Sequence, residues 1–523
     1  MMVFSSDSTS TNQKLIDILG LIDNTFNFET IKNIEISDIS DDSRNVVTGA
    51  LFIARSGYDV HGERFISDAI KNGAVAILRQ PVVVNATSEI NWIATAINKS
   101  IPEIIISFEN KDISKLAVVF YKDPSKQLQI TGITGTNGKT SCAFILANIL
   151  SQNQKTGFIG TIGYGEINSL QESSNTSQRT TTPNTTTRGV VENQKIFSEM
   201  YGNGIKQVVM EISSHALTQH RITGIDIKCA VFTNLTHDHL DYHQTFEKYG
   251  EAKLELFRLS SLQHAVINLD DKFSQQVINV LNKNVKVITY GIDNKKANLI
   301  AEIIEFKLNS TVITLKMESD SITVNVPLLG KFNISNLLAV CGVLLSQGQS
   351  LNVISKLIPK IQAVKGRMQC LGGHNNLPLV VVDYAHTPDA LSNVLETLKL
   401  HCTGSLWCVF GCGGDRDKTK RAEMGEIAST IADKVIITND NPRTEEPKVI
   451  AADIYNGIIN TKITKIILDR KEAIQSAIEQ AKKTDVILIA GKGHESYQII
   501  DNIKYYFDDV KTSLDALNTE SIK

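Results

Sequence analysis

"QLQITGITGTNGKTSCAFILANIL", residues 127–150, is a β-branched apolar run, a loop bearing glycines and a lysine, and then a longer apolar stretch. A strand feeding a helix through such a loop is the unit from which parallel α/β sheets are wound. The alternation continues through "KQVVMEIS", "CAVFTNL" and "HAVINLDD", and later through "LPLVVVDYA", "SLWCVFGCGG", "DKVIITND" and "TDVILIAGKG". Short strands separated by amphipathic stretches predict an α/β fold with largely parallel sheets. Such sheets bind ligands beyond the carboxyl ends of their strands, and most of these runs end in a polar or glycine-rich loop.

At 523 residues the chain exceeds what one hydrophobic core supports. Breaks are expected near "YKDPSKQ" (121–127) and "AVKGRMQ" (363–369), giving three α/β domains over residues 1–120, 121–362 and 363–523. With 42% hydrophobic and 21% charged residues and a net charge of -3, the composition is that of a globular protein. It argues against disorder and against a nucleic-acid surface, so an anionic ligand has to be met by local positive groups. The start "MMVFSSDSTSTNQKL" has no basic and then apolar leader, and no run of about 18 apolar residues occurs, so a cytoplasmic chain without a membrane span is expected. The seven cysteines, among them Cys408 and Cys412, lack paired metal-type spacing and predict reduced thiols.

In "GITGTNGKTS" (132–141), Gly135, Gly138, Lys139 and Thr140 let backbone N–H groups curl round a phosphate, with Thr136, Asn137 and Ser141 completing the loop. The strict phosphate-loop pattern needs glycine where Ile133 stands, so this is a shorter variant, G-T-N-G-K-T. It predicts ATP and Mg2+; a glycine helix cap is the plainer alternative. Downstream, "VVMEISSHALTQHR" puts Glu211 at a strand end, ahead of two serines and His215, and "FTNLTHDHLDYHQT" crowds three histidines and two aspartates between His237 and His243. Magnesium prefers oxygen ligands and keeps some waters, so Glu211, Thr140 and ATP phosphates suffice for a first ion. Lys253 in "YGEAKLELF" lies between acids, where an exposed lysine in an i,i+4 charge pattern is the plainer reading.

Together "TGTNGKTS", "EISSHAL", "NLTHDHLDYH", "YGEAKLELF", "LLGKFNISN", "GRMQ" and "DYAHTPDAL" resemble the Mur ligases, the ATP-dependent amide-forming enzymes of peptidoglycan synthesis. "DSRNVVTGALFIARSGYDVHGERF" near the start resembles the uridine-nucleotide domain of the branch that builds the muramyl tripeptide, and "GCGGDRDKTKR", "DNPRTEEP" and "GKGHESYQ" near the end resemble the same branch. The resemblance implies a uridine-nucleotide domain, a central phosphate-loop ATPase-like domain and a C-terminal Rossmann-like domain. It implies that ATP phosphorylates a carboxylate of UDP-MurNAc-L-Ala-D-Glu and that an amino acid attacks the acyl phosphate. By the same resemblance Glu211 and His239 hold metal and Lys253 is carbamylated to N6-carboxylysine, a ligand for a second magnesium. Asn333 and Asn336 contact adenine, although helix capping would also explain them. Arg367 contacts phosphates, and Asp383 and His386 meet the nucleotide. Ser43, beside Arg44, lies at the uridine end, while Thr181, Thr182, Ser213, Gln219 and Arg221 line the muramyl-peptide path. Two departures stand out. The family usually has Asn-Thr-Thr where this chain has "TTT" at 180–182, and residues 80–115 are longer than the family norm.

"TNDNPRTEEP" (438–447) reads alone as a solvated acidic turn. Its position at a strand's carboxyl end, in a chain that resembles a ligase, implies that it is the specificity loop for the incoming amino acid. meso-Diaminopimelate carries a distal carboxylate that lysine lacks, and a guanidinium binds a carboxylate through two parallel hydrogen bonds. The resemblance places Arg443 at that contact, with Arg416, Asp440, Asn441, Gly491 and Glu495 completing the pocket and Glu495 meeting the distal ammonium. Lysine or another diamino acid remains an alternative, as do a folate-type ligase, a nucleotide-sensing module without turnover and a small-molecule kinase. The C-terminal motifs argue against the kinase. A monomer, with no nucleic-acid partner, is the default expectation.

Overall fold

Three large sheets carry the chain in the computed structural model, which describes residues 12–55, 61–81, 88–95, 100–172 and 185–522. The first is built from β1 (Asp38–Ser40), β2 (Ala50–Ala54), β3 (Ala76–Arg79), β4 (Glu89–Ala94) and β5 (Ser100–Ile105), in the spatial order β1-β2-β3-β5-β4. All neighbours are parallel except β4, which lies antiparallel to β5 at the edge. The long segment 80–115 therefore supplies two strands and the start of helix α1 (Asn110–Phe120). A capping box between Glu109 and Asp112 starts α1, and its buried face is set by Ile113, Leu116, Ala117 and Phe120 at helical spacing. Asp123, left-handed at φ 48°, and Pro124 end the element. Two hydrogen bonds fasten this domain to the next: Ser114 Oγ donates to Thr223 O (2.6 Å), and Tyr121 OH donates to Asp38 Oδ1 (2.5 Å), where Lys195 also pairs.

The central sheet has ten strands. In chain order these and their main helices are β6 (Gln129–Thr134), α2 (Lys139–Ser151), β7 (Thr156–Gly160), β8 (Gly163–Glu166), α3 (Val190–Gly202), β9 (Gln207–Glu211), β10 (Ile227–Phe232), α4 (Phe246–Phe257), β11 (His264–Asn268), β12 (Lys286–Gly291), β13 (Leu299–Lys307), β14 (Ser310–Met317), β15 (Asp320–Val326) and α5 (Lys331–Ser346). The spatial order is β8-β7-β9-β6-β10-β11-β12-β13-β14-β15. The stretch from β7 to β13 is parallel, but β8, β14 and β15 are antiparallel additions at the two edges. Two-residue connections at Leu308–Asn309 and Glu318–Ser319 cannot span a crossover, so they can only form hairpins. Helices α2 and α5 share one apolar core, and α5 buries Ile334, Leu337, Leu338, Val340, Val343 and Leu344. Each such side chain contributes roughly 1.5–3 kcal/mol.

The last sheet orders β16 (Gln369–Gly372), β17 (Leu379–Asp383), β18 (Leu406–Phe410), β19 (Lys434–Ile437), β20 (Thr464–Ile466) and β21 (Val486–Ala490) as β16-β17-β21-β18-β19-β20. Only β16 is antiparallel. Helices α6 (Pro388–His401), α7 (Thr419–Ile431) and α8 (Arg470–Gln480) cover its faces. His401, the last residue of α6, is buried and joins this domain to the central one. Its Nδ1–H donates to Lys307 O (2.6 Å) and its Nε2 accepts from Gly330 N–H (3.1 Å). A carbonyl can only accept and an amide N–H can only donate, so the ring is held as the neutral Nδ1–H tautomer. The seven cysteines are free thiols, and among the described residues no helix is long and apolar enough to cross a membrane.

Candidate active site

Where β6 ends, the loop Gly135–Gly138 turns the chain into α2. Gly138 has φ +85°, and a Cβ there would lie 2.3 Å from Asn336 Oδ1, so only glycine fits. The loop is clamped to the end of β10: Thr136 N–H donates to Asn234 O (2.9 Å), Asn137 N–H to Asn234 Oδ1 (2.9 Å), and Thr233 Oγ1 to Asn137 O (2.6 Å). β6 and β10 are adjacent strands whose connections leave in opposite directions across the sheet, the position at which open α/β sheets bind ligands. Lys139 Nζ folds onto Gly135 O (2.7 Å) and Thr136 O (2.8 Å). Burial holds its pKa below the ordinary lysine value.

Glu211, at the end of β9, is 0% exposed. It accepts from Thr140 Oγ1 (2.8 Å), Thr161 N–H (2.9 Å) and Thr161 Oγ1 (3.2 Å), and burial raises its pKa. A carboxylate beside a phosphate-loop hydroxyl is the oxygen donor set Mg2+ prefers. Among the described residues no group of three or more His, Cys, Asp or Glu side chains could hold a metal by itself. Such a site fits an ion completed by water and phosphate oxygens. His239 sits at a left-handed turn (φ 52°), its ring 4.9 Å from His215 and 6.0 Å from Tyr249. His243 packs on the same two rings, 5.5 Å from His215 and 5.1 Å from Tyr249, but its Nε2 bonds to Ser214 Oγ (2.9 Å), and burial lowers its pKa to about 4. Lys253 is not the surface lysine its acidic neighbours suggested. It is 1% exposed, its Nζ lies 4.3 Å from the centre of the Tyr249 ring, and burial holds its pKa well below normal.

Lys139, His215, His239, Tyr249 and Lys253 line a cavity of about 310 Å³ together with Ser213, Ser214, Arg221, Thr185 and Thr186. Thr181 and Thr182 lie outside the described residues. The sequence repeats a threonine pair as Asn184-Thr185-Thr186, the Asn-Thr-Thr pattern sought four positions earlier, and Thr185 and Thr186 are the threonines at the cavity. Thr187 Oγ1 donates to Glu211 O (2.9 Å) and accepts from Ser213 N–H (3.0 Å), which ties this segment to the end of β9. Arg221 donates to Thr187 O (2.9 Å) and Gln219 Oε1 (2.5 Å), while Gln219 Nε2 donates to Tyr242 OH (3.2 Å). Ser43 is outside the cavity, buried under Asn72, which donates to its carbonyl (2.8 Å); exposed Arg44 pairs with Asp42.

Asn333 and Asn336 lie in the first turns of α5 and do not cap it. Asn333 Nδ2 donates to Leu329 O (2.9 Å), and Asn336 stands beside Gly138. Arg367 is close enough to Lys139 and Glu211 to influence both electrostatically, and its guanidinium carbon is 5.8 Å from the centre of the Tyr384 ring. Asp383 accepts from Met368 N–H and Ala385 N–H (both 2.8 Å), fixing the chain around Arg367. His386 is exposed, with Nδ1 against Tyr384 O.

The loop after β19 is no solvated turn: Asp440 is 7% and Asn441 5% exposed. Asn441 Nδ2 donates to Glu495 Oε2 (3.0 Å), and its Oδ1 accepts from Lys492 Nζ and Ile499 N–H (both 3.0 Å). Arg443 has φ 53°; its backbone is held by Ile499 O and Asp501 N–H, and its side chain donates to Gly414 O (2.7 Å). Gly491 has φ +113°, and a Cβ would come 2.5 Å from Asp440 Oδ2. Arg416 is exposed. Two residues missed from the sequence lie beneath this pocket. Lys492 is wholly buried, and Arg470 pairs bidentately with Asp509 while donating to Asn439 O (3.2 Å) and Ala490 O (2.9 Å). "GKGHE" was the available signal for Lys492, a lysine directly after a wholly apolar strand. Among the described residues, none from this pocket lines the central cavity.

Comparison with known proteins accords with this layout. Residues 133–344 match the Mur ligase middle domain, 366–493 the Mur ligase, glutamate ligase domain, and 35–113 the Mur ligase family, catalytic domain. A relative from Haemophilus influenzae, named UDP-N-acetylmuramoyl-L-alanyl-D-glutamate--2,6-diaminopimelate ligase, is 41% identical over 94% of this chain and 98% of its own. One of the same name from Coxiella burnetii is 40% identical over 92% of this chain and 96% of its own. A solved structure of a ligase with that name is 34% identical, covering 97% of this chain and 99% of the other, with a TM-score of 0.70. Similarity across nearly the whole chain, with three domain matches in order, places it by descent: the chain belongs to the Mur ligase family.

Proposed function

We propose that the chain is an ATP-dependent ligase that joins meso-2,6-diaminopimelate to UDP-MurNAc-L-Ala-D-Glu, the activity its relatives carry in their names. The observation that carries this reading is the meeting of Lys139 and Lys253 in one cavity beside the Thr140–Glu211 pair, with a separate charged cluster of Asp440, Asn441, Lys492 and Glu495 on the C-terminal domain. In this mechanism a carboxylate oxygen of the muramyl dipeptide attacks the γ-phosphorus of ATP and ADP leaves. The amine of diaminopimelate attacks the acyl phosphate, inorganic phosphate departs, and the amine's proton passes to solvent. Lys139 and the loop N–H groups neutralise charge on the transferring phosphoryl group. Magnesium, held at Thr140, Glu211 and His239, would supply further charge neutralisation there. Lys253, whose ammonium form burial disfavours, attacks CO2 through its neutral amine with loss of a proton and becomes an anionic carbamate.

Asn333 and Asn336 serve the adenine, and Arg367, Asp383 and His386 the nucleotide across the domain boundary. Ser43 serves the uridine end; Ser213, Gln219 and Arg221, with Thr185 and Thr186 beside them and Thr181 and Thr182 upstream, serve the muramyl peptide. Arg416, Asp440, Asn441, Arg443, Gly491 and Glu495 hold the amino acid. The need for ATP goes with a cytoplasmic location. Phosphate release with ATP, Mg2+ and UDP-MurNAc-L-Ala-D-Glu should depend on diaminopimelate and be weak with lysine. Equal turnover with lysine would overturn the choice of amino acid, and release with neither would overturn the ligase reading.

A further inference from the structure

Lys492 is 0% exposed, yet nothing in the mechanism above employs it. A buried ammonium is costly unless charged and polar partners surround it. Its polar partners among the described residues are three of those assigned to the amino acid, Asn441 Oδ1 at 3.0 Å, Glu495 Oε2 at 3.4 Å and Asp440 Oδ1 at 3.7 Å, and the Tyr497 ring lies 5.6 Å away. Asn441 is thereby held at both ends of its amide, with Oδ1 shared between Lys492 and Ile499 N–H and Nδ2 given to Glu495. Glu495 Oε2 is doubly occupied, while Oε1 has no hydrogen-bond partner among the described residues.

Charge adds a second consequence. Asp440 and Glu495 are two carboxylates drawn to one ammonium. Arg470, the other buried cation nearby, is committed to Asp509, and Arg416 lies in solvent. With the Arg443 guanidinium at the rim, Lys492 brings the pocket to neutrality; without it the pocket keeps a surplus negative charge. A neutral pocket suits an amino acid whose far end is a zwitterion, and a negative one suits a far end that is only an ammonium. We propose that Lys492 is a positioning residue that fixes Asn441 and Glu495 and, by its charge, makes the pocket select a distal ammonium–carboxylate pair over a lone distal ammonium. This deepens, and rests on, the diaminopimelate reading.

The test uses the full chain with ATP, Mg2+ and UDP-MurNAc-L-Ala-D-Glu, measuring KM for diaminopimelate and Ki for lysine as its competitor. Lys492→Gln keeps a hydrogen-bond donor and removes the charge, whereas Lys492→Arg keeps the charge. For Lys492→Gln, KM for diaminopimelate should rise at least about tenfold while KM for ATP stays within about threefold, and the ratio of KM for diaminopimelate to Ki for lysine should rise at least about fivefold. Lys492→Arg should hold that ratio within about twofold of the unaltered chain. An unchanged ratio in Lys492→Gln, or an equal shift in Lys492→Arg, overturns the proposal. If Lys492→Gln does not fold, Lys492→Gln/Glu495→Gln should, because it removes the surplus charge as well; a double variant no more stable than the single also overturns it. Absence of diaminopimelate-dependent turnover in the unaltered chain would instead count against the underlying function.

Discussion

Arg443 adopts a left-handed backbone at φ 53°, which costs a non-glycine residue about 1–2 kcal/mol. The strain is sustained by two backbone hydrogen bonds to the hairpin that follows the buried lysine, at Ile499 and Asp501. Among the described residues the one hydrogen bond of the guanidinium goes to Gly414 O, so truncation should leave the loop in place and remove a carboxylate partner. Arg443→Ala should raise KM for diaminopimelate at least about tenfold with little change in kcat, since a hydrogen bond to a charged group is worth roughly 1.5–3 kcal/mol. An unchanged KM would remove Arg443 from the specificity role. Lys253 poses a different question, because burial and the nearby Lys139 charge disfavour its ammonium form, and no hydrogen-bond partner holds it among the described residues. Supplied with 13C-labelled bicarbonate, the chain should show a carbamate carbonyl signal that Lys253→Arg lacks, and that variant should turn over at least about a hundredfold more slowly. Full activity without such a signal would sink the carbamate.

The phosphate loop depends on one glycine at the element scale. Gly138→Ala forces a Cβ against Asn336 Oδ1 at a positive φ, so the loop and the start of α5 cannot both keep their places. ATP affinity should fall at least tenfold, about 1.4 kcal/mol, by calorimetry; an unaltered Kd would show that the loop yields freely. This loop was legible in the sequence because strand, turn and helix are contiguous there and each obeys a local rule. So were the parallel β6–β10 core, Glu211 and the loop after β19, which lie at strand ends. Other features were not legible, for physical reasons. The edge strand β8 is Gly-Tyr-Gly-Glu, with no apolar run to mark it, and β14 and β15 alternate polar with apolar residues, a pattern that only pairing resolves into hairpins. Nothing local marks Lys253 and Arg470 as interior, and Lys492 had one local signal, its place one glycine beyond a wholly apolar strand. Thr185 and Thr186 line the cavity just after the pair Thr181 and Thr182, and a short threonine pattern repeated four residues apart has no local feature that tells which pair meets a ligand.

Taken whole, the molecule, on the function proposed for it, keeps its two reactants on different domains. The cavity at the phosphate loop is lined by central-domain residues, whereas Asp440, Asn441 and Glu495 belong to the C-terminal domain. An amine must come within about 3–3.5 Å of the acyl phosphate to react, so the domains have to close before the second step. His401 marks a joint between the same two domains, bonded to Lys307 O and Gly330 N–H as a neutral ring. Burial lowers its pKa, so the stability it contributes is present above the unfolded value of about 6.5 and is lost as pH falls through the folded value. His401→Phe should lower Tm at pH 7.5, and the gap between it and the unaltered chain should narrow towards pH 5; a constant gap would mean that the ring does not titrate with folding. The joint touches the turn before β14 and the N-terminal end of α5, the helix that carries Asn333 and Asn336, so nucleotide binding and closure act on the same element. X-ray scattering should therefore show a smaller radius of gyration when a non-hydrolysable ATP analogue and UDP-MurNAc-L-Ala-D-Glu are added together than with neither. If the profile is unchanged on adding both and again on adding diaminopimelate, the amine has to reach the acyl phosphate by another route, and the division of the site between two domains would lose its mechanistic meaning.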